Sequence, residues 1–305
     1  MIPKGFFPVQ DTGEIQGVSE ADQSVSFVEM ARQQQQLVAV ILEDPAVENL
    51  SSFIGVDGTN TTLNSGRIQI NLKPLAERGL SAVAVIRRLQ ASVAKVQGIS
   101  LYMQPVQDIS VEDIVSRTEY QYSLQDPSAD ELSQYATKFV GRLKKLPELT
   151  DVASDLQNQG RQASLSFDRL TASRLGITPQ NIDDSLYDSF GQRQVSTVFT
   201  QLNQYHIILE VDPQFQASAE NLKDVYLMSA GGGAVPLSAI AQTSEITAPI
   251  LISHMGQFPA TTISFNLDPS TSLGAAVKAI QKVEKEMPQP PAMQGSFQGL
   301  SLIHI

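Results

Sequence analysis

This chain of 305 residues contains no cysteine and no tryptophan, and only three histidines. The missing cysteine excludes disulfides, thiolate nucleophiles and thiolate metal sites, and it suits a periplasmic setting. The histidines, His206, His254 and His304, lie far apart. None has a carboxylate or second histidine three or four positions away, so no helical metal pair is formed. Positive charge is also scarce. The formal net charge is −11 and the pI is near 4.7, which argues against nucleic acid and against an anionic membrane surface. No apolar run approaches the roughly 18–20 residues that span a bilayer. The opening Met1-Ile-Pro-Lys-Gly-Phe-Phe-Pro lacks the apolar core of a signal peptide. The chain therefore reads as a soluble segment, with any membrane anchor outside it. Its ending, Gly299 to Ile305, fits neither a helix cap nor a closing strand and reads as a truncation.

What is present is ordinary globular material, 42 % hydrophobic, arranged in a repeated pattern. Residues 14–104 read as strand, helix, strand, strand, helix, strand. Residues 118–157 read as strand, helix, strand, and the matching half appears only at 260–298. A β-α-β-β-α-β unit is the split βαβ, ferredoxin-like motif. The predicted fold class is therefore α+β, with two such units, the second interrupted by an inserted α+β subdomain. The two halves, 118–157 and 260–298, are expected to share one four-stranded sheet.

Local signals place the elements. Ser24 is the predicted cap of a helix running to Glu43, with Phe27, Ala31, Val38 and Ile41 or Leu42 near one face. The run Gln33–Gln36 is read as a solvated part of it. Ile68, Ile70 and Leu72 alternate inward on a strand, as do Ile263, Phe265 and Leu267 on another. Ser81, Ser128 and Ser272 begin helices, and Thr178-Pro179 begins one inside the insertion. Gly231–Gly233 reads as a hairpin turn. Gly191–Gln204 reads as an extended polar arm carrying Val198, Phe199 and Leu202, which should pack poorly on their own chain.

No constellation resembles an active site, and no catalytic, cofactor or metal-binding residue is assigned. Asp183, Asp184 and Asp188 share a helix without a histidine or an apolar pocket beside them, so a carboxylate hydrolase is set aside. The loop Phe53–Gly66 is the best functional candidate. Hairpin loops usually have 2–5 residues, and longer ones tend to be functional. Phe53, Ile54, Val56 and Leu63 offer apolar surface, while Gly55, Gly58 and Gly66 offer backbone freedom.

Several segments carry a family resemblance. They are Ile2-Pro-Lys-Gly-Phe-Phe-Pro-Val-Gln-Asp-Thr-Gly13, the loop Phe53–Gly66, Leu165-Ser-Phe-Asp-Arg-Leu-Thr-Ala-Ser-Arg-Leu-Gly-Ile177, and His254-Met-Gly-Gln-Phe-Pro-Ala-Thr-Thr-Ile-Ser-Phe265. With the repeated layout, they resemble the periplasmic part of resistance-nodulation-division (RND) multidrug efflux transporters, AcrB/HAE1-like, and most of all MdtB/MdtC-type subunits. The Pro-x-x-x-Asp-x-Gly run points to the second periplasmic loop, in the C-terminal half.

The resemblance implies a porter subdomain over 1–112, a second, split one over 113–168 and 252–305, and a docking subdomain over 169–251. It implies a proton-driven inner-membrane pump whose segment here lies in the Gram-negative periplasm, exporting hydrophobic or amphipathic drugs or bile salts. The implied partners are other protomers of a homo- or heterotrimer, a periplasmic adaptor and an outer-membrane channel. By position, Phe53, Ile54, Val56, Gly58 and Gln69 would contact substrate. Gly55, Gly58, Leu63 and Gly66 would belong to a switch loop bordering a cleft between the porter subdomains, with Phe53 at its base. Val198, Phe199 and Leu202 would contact a neighbouring protomer. Where well-known multidrug members carry several phenylalanines, this loop keeps only Phe53, which implies a narrower or more polar substrate range. A free-standing binding or scaffold protein of ferredoxin-like modules is the alternative reading.

Overall fold

A computed structural model describes residues 10–56, 62–108, 117–216 and 218–299. Gly58, His304, most of the opening segment, part of the 108–117 connector and the last six residues lie outside the described residues. In chain order the elements are β1 (Glu14–Ala21), α1 (Phe27–Leu42), β2 (Val47–Ile54), β3 (Ser65–Leu72), α2 (Leu75–Arg78), α3 (Ala82–Val93) and β4 (Ile99–Pro105). There follow β5 (Tyr120–Gln125), α4 (Ala129–Leu143), β6 (Leu149–Ser154), β7 (Gly160–Phe167), α5 (Arg169–Arg174), α6 (Pro179–Phe190), β8 (Arg193–Phe199), β9 (Gln204–Leu209) and α7 (Pro213–Gln216). The chain continues with β10 (Tyr226–Met228), β11 (Ala234–Pro236), β12 (Ala241–Ala248), β13 (His254–Met255), β14 (Phe258–Leu267), α8 (Leu273–Glu286) and β15 (Gln294–Gln298). The result is a mixed α and β architecture built on antiparallel sheets.

Residues 1–160 with 249–305 form one compact unit, and residues 161–248 form another. The first unit holds two sheets of the same internal order. The first sheet runs β2-β3-β1-β4. In the second, β6 pairs β14, which pairs β5, which pairs β15, with the short β13 also on β14. Thr261–Leu267 thus sits in a sheet with β5 and β6, although the insertion separates them in sequence. Each sheet buries one face under two helices. Ile68 and Ile70 meet α1 and α3 in one core, and Ile263 and Phe265 meet α4 and α8 in the other. Tyr122 anchors the second core. It packs edge-on to Phe297 at 4.8 Å, and its hydroxyl donates to Glu284 Oε1 at 2.8 Å. Burial and that acceptor hold the Tyr122 hydroxyl well above the usual phenol range.

Helix starts follow the expected hydroxyl caps at Ser81, Ser128, Ser272 and Thr178. Thr178 makes a full capping box with Asn181, and Pro179 opens the helix. The first helix departs from expectation. Its cap is Ser26, whose side chain accepts from the Glu29 amide, while Ser24 instead bonds Asp22. Its buried stripe is Met30, Gln33, Gln34, Leu37 and Ile41, and Phe27 and Leu42 are exposed. Two of the four glutamines are therefore core residues, not solvated ones. Gln34 is satisfied there by Ser19 Oγ at 2.6 Å and Ser52 Oγ at 3.0 Å.

In the unit 161–248, β7 pairs β12 and β10 pairs β11 across the glycine turn, where the Ser229 amide donates to the Gly233 carbonyl at 2.9 Å. A small core of Ala172, Ile177, Ile182, Leu227, Leu237 and Ile240 holds these elements together. The stretch expected as an extended arm is half of a hairpin, β8 paired with β9. Val198, Phe199 and Leu202 are 46 %, 75 % and 92 % exposed, so they contribute little to their own chain's packing.

Candidate functional site

The long loop springs from the β2–β3 hairpin. Cross-strand register puts Phe53 opposite Arg67 and Ser51 opposite Gln69, with Gln16 of β1 beside Gln69. These residues share the sheet face turned away from the helices, because Ile68 and Ile70 of the other parity are buried. Phe53 is half exposed, and the Arg67 guanidinium carbon lies 5.8 Å from its ring centroid. That contact is worth about 0.5–1 kcal/mol at an exposed position. Val56 and Leu63 are also exposed, and Leu63 Cδ2 would lie 3.7 Å from a Cβ at Gly55. Phe53, Val56, Leu63, Arg67 and Gln69 therefore offer apolar surface edged by one cation and one amide.

Two of the expected loop residues play other parts. Ile54 alternates with Phe53 and packs against the first core, so it belongs to the opposite face of the sheet. Gly66 is a β3 residue paired with Ile54 and Ser19, not part of the loop. A Cβ there would lie 2.6 Å from Ser19 Oγ, 2.8 Å from the Phe53 carbonyl and 2.9 Å from Gln34 Nε2. Its glycine serves close packing, not mobility. Gly55, by contrast, has φ +90°, a conformation open to glycine and costly for residues with a Cβ. Gly58 lies outside the described residues.

The C-terminal root of the loop is buried and polar. Thr62, Asn64 and Ser65 are each less than a tenth exposed. The Asn64 side chain donates to the Ala21 carbonyl at 3.1 Å and to Gln157 Oε1 at 3.3 Å. Gln157 Nε2 donates to Glu20 Oε1 at 2.7 Å, and Arg117 Nε donates to Glu20 Oε2 at 2.6 Å. Nearby, Asp155 accepts from Thr261 Oγ1 at 2.6 Å and the Thr262 amide at 2.7 Å. Burial still raises its carboxyl above the usual range, and the Arg117 charge only partly offsets this. Burial also raises the Tyr102 hydroxyl, with the Glu20 charge acting in the same direction. Sequence reading missed this seam, because Gln, Asn and Glu scattered over 137 positions form no motif.

A cavity of about 550 Å³ lies elsewhere, within residues 161–248, bordered by Phe167, Ala172, Ile177, Ile182 and Ala230. Asp188 is paired with Arg193 at 2.6 Å, an ion pair near the surface. Among the described residues no cluster of three or more His, Cys, Asp or Glu is placed to hold a metal ion. No helix among them is long and apolar enough to cross a membrane.

The fold, two antiparallel sheets of one internal order with a separate unit inserted in the second, is shared with solved transporter structures. Two crystal forms of a heavy metal efflux pump each superpose with a TM-score of 0.85 at 20 % identity over 98 % of this chain. Residues 1–304 match the AcrB/AcrD/AcrF family, and the chain belongs to that family. It spans about a third of the length of those solved pumps, 31 % and 32 %.

Proposed function

We propose that this chain is the porter and docking part of an RND efflux pump, the second periplasmic loop of an MdtB/MdtC-type subunit. In this reading the β2-β3-β1-β4 sheet with its helices is one ferredoxin-like porter subdomain, over 1–112. The β6-β14-β5-β15 sheet is the second, over 113–168 and 252–305, and 169–251 is the docking insertion. The pump sits in the inner membrane, assembles as a trimer with an adaptor and an outer-membrane channel, and exports amphipathic molecules. Family membership favours this over a free-standing scaffold.

The observation that carries the substrate class is the exposed Phe53–Val56–Leu63 surface bordered by Arg67 and Gln69. A half-exposed aromatic ring, backed by a guanidinium and flanked by an amide, suits molecules with an apolar body and a polar edge. The metal cargo named for the solved pump is said of that protein and is not carried over to this chain at 20 % identity. Completing the burial of a Phe side chain against a ligand contributes up to about 1.5–3 kcal/mol. Phe53→Ala in the complete transporter is therefore expected to weaken export of apolar compounds by about 10-fold or more, and of polar ones less. Resistance assays at matched expression measure this. Wild-type resistance to every exported compound would remove the loop from the substrate path.

A further inference from the structure

Gln157 lies between β6 and β7, where the chain leaves for the inserted unit, and it is 2 % exposed. Its carbonyl accepts from the Ile250 amide at 2.8 Å, and it forms a bridge with Leu251, where the chain returns. Its side chain meanwhile holds Glu20 with its amide nitrogen and Asn64 with its amide oxygen. One residue thus ties the outgoing connector, the returning connector, the end of β1 and the root of the long loop. The neighbours reinforce the tie. Gln23 Nε2 donates to the Leu156 carbonyl at 3.1 Å, and the Gln159 amide donates to Gln23 Oε1 at 2.6 Å.

A second observation concerns Asn64. Its Oδ1 is buried and has no hydrogen-bond partner among the described residues. Buried acceptors are nearly always satisfied. The Asn64 side chain is therefore held through its donor nitrogen, and its orientation follows the Ala21 carbonyl and the Gln157 side chain.

We propose that Gln157 is a positioning residue, through which displacement of the connectors at 156–159 and 250–251 is felt at the loop root around Asn64, and displacement of that root is felt at the connectors. The proposal rests on the reading that the loop meets transported molecules, because that reading gives the coupling its use. The physical link itself can be measured without substrate.

The test is amide hydrogen exchange on the intact transporter. Two amides report on the two ends. That of Ala21 donates to the Asn64 carbonyl at 2.9 Å, and that of Ile250 donates to the Gln157 carbonyl. Leu124, fully buried in β5, serves as the internal reference. Asn64→Asp is nearly isosteric and replaces the donor that reaches Gln157 and Ala21 by a carboxyl oxygen that repels both acceptors, which breaks the two bonds at the loop root. It is expected to speed exchange at Ile250 about tenfold, although Asn64 makes no bond to residue 250. Gln157→Leu is expected to speed exchange at Ala21 by a similar factor. Leu124 should not change in either variant. Unchanged protection at Ile250 in Asn64→Asp would overturn the proposal, and so would uniform acceleration that includes Leu124, since that is loss of overall stability. Failure of the substrate-path reading is distinguishable, because Phe53→Ala would then leave transport intact while the exchange coupling persisted.

Discussion

At the scale of single residues, two positions separate packing from mobility and charge from burial. Gly66 faces Ser19 and Gln34 so closely that a methyl group must displace the buried Gln34 amide. Gly66→Ala is expected to destabilise the chain by about 1–3 kcal/mol, read as a lower urea midpoint. An unchanged midpoint would return Gly66 to the role of a loop glycine. Asp155 presents the electrostatic counterpart. Its folded carboxyl titrates above its ordinary value, because burial outweighs its two hydrogen bonds. The native state therefore binds the proton more tightly than the unfolded chain does. Ionisation of Asp155 lowers stability as pH rises from about 3.9 through the raised folded value. Both hydrogen bonds fall on one oxygen, Oδ1, which an asparagine retains. Asp155→Asn is expected to be at least as stable as wild type at pH 7, with the difference vanishing below about pH 3.9. Chemical denaturation across pH measures it, and a marked loss at pH 7 would show that the charge is needed.

At the scale of elements, the β8–β9 hairpin stands apart. Tyr205, Ile207, Ile208 and Leu209 on β9 are about as exposed as Val198 on β8, and Phe199 is more exposed still. A two-stranded ribbon alone is marginal in water, and this one has apolar side chains on both strands with little of its own chain against them. Exposed patches of this kind mark interaction surfaces. Phe199→Ser and Leu202→Ser are expected to change the stability of the isolated chain by no more than about 0.5 kcal/mol, while reducing assembly of the intact transporter in cross-linking or native mass measurements. Full assembly of the double variant would sever the hairpin from subunit contact.

At the scale of the whole molecule, the cores are independent. The core under the second sheet draws on β5, α4, β6, β14, α8 and β15, and none of its buried members comes from 161–248. The insertion has a core of its own. Its two ends are held together by the Ile250 amide on the Gln157 carbonyl at 2.8 Å, so a short flexible linker can replace it. Removal of residues 161–248 is expected to leave the remainder cooperatively folded, with calorimetry giving a single transition or two overlapping ones from its sheets. Loss of the β5–β14 pairing in the shortened chain, seen as lost exchange protection at Leu124 and Ile263, would show that the insertion templates the second sheet.

The chain's local grammar was legible in its sequence. Hydroxyl caps at Ser81, Ser128, Thr178 and Ser272 announced helices, because a cap satisfies amides two or three residues away. Alternation at Ile68–Ile70–Leu72 and Ile263–Phe265 announced half-buried strands, because side chains in a strand point to opposite faces in turn. The repeat of strand and helix carried the association of segments that are far apart. The first helix departs from its expected phase, since a rule that counts glutamine as polar cannot see Gln34 held by Ser19 and Ser52 from two strands. At Gly66 the sequence suggests flexibility, because it gives a glycine's presence and not its neighbours. The Glu20–Asn64–Arg117–Gln157 seam was invisible for the same reason. Its members are polar residues of common type whose partners lie up to 137 positions away, and only the packing of one sheet system against another brings them together. Periodicity and capping act over a few residues and are written in the sequence itself. Burial of a polar side chain depends on which distant groups arrive beside it, and that was decided by the tertiary structure.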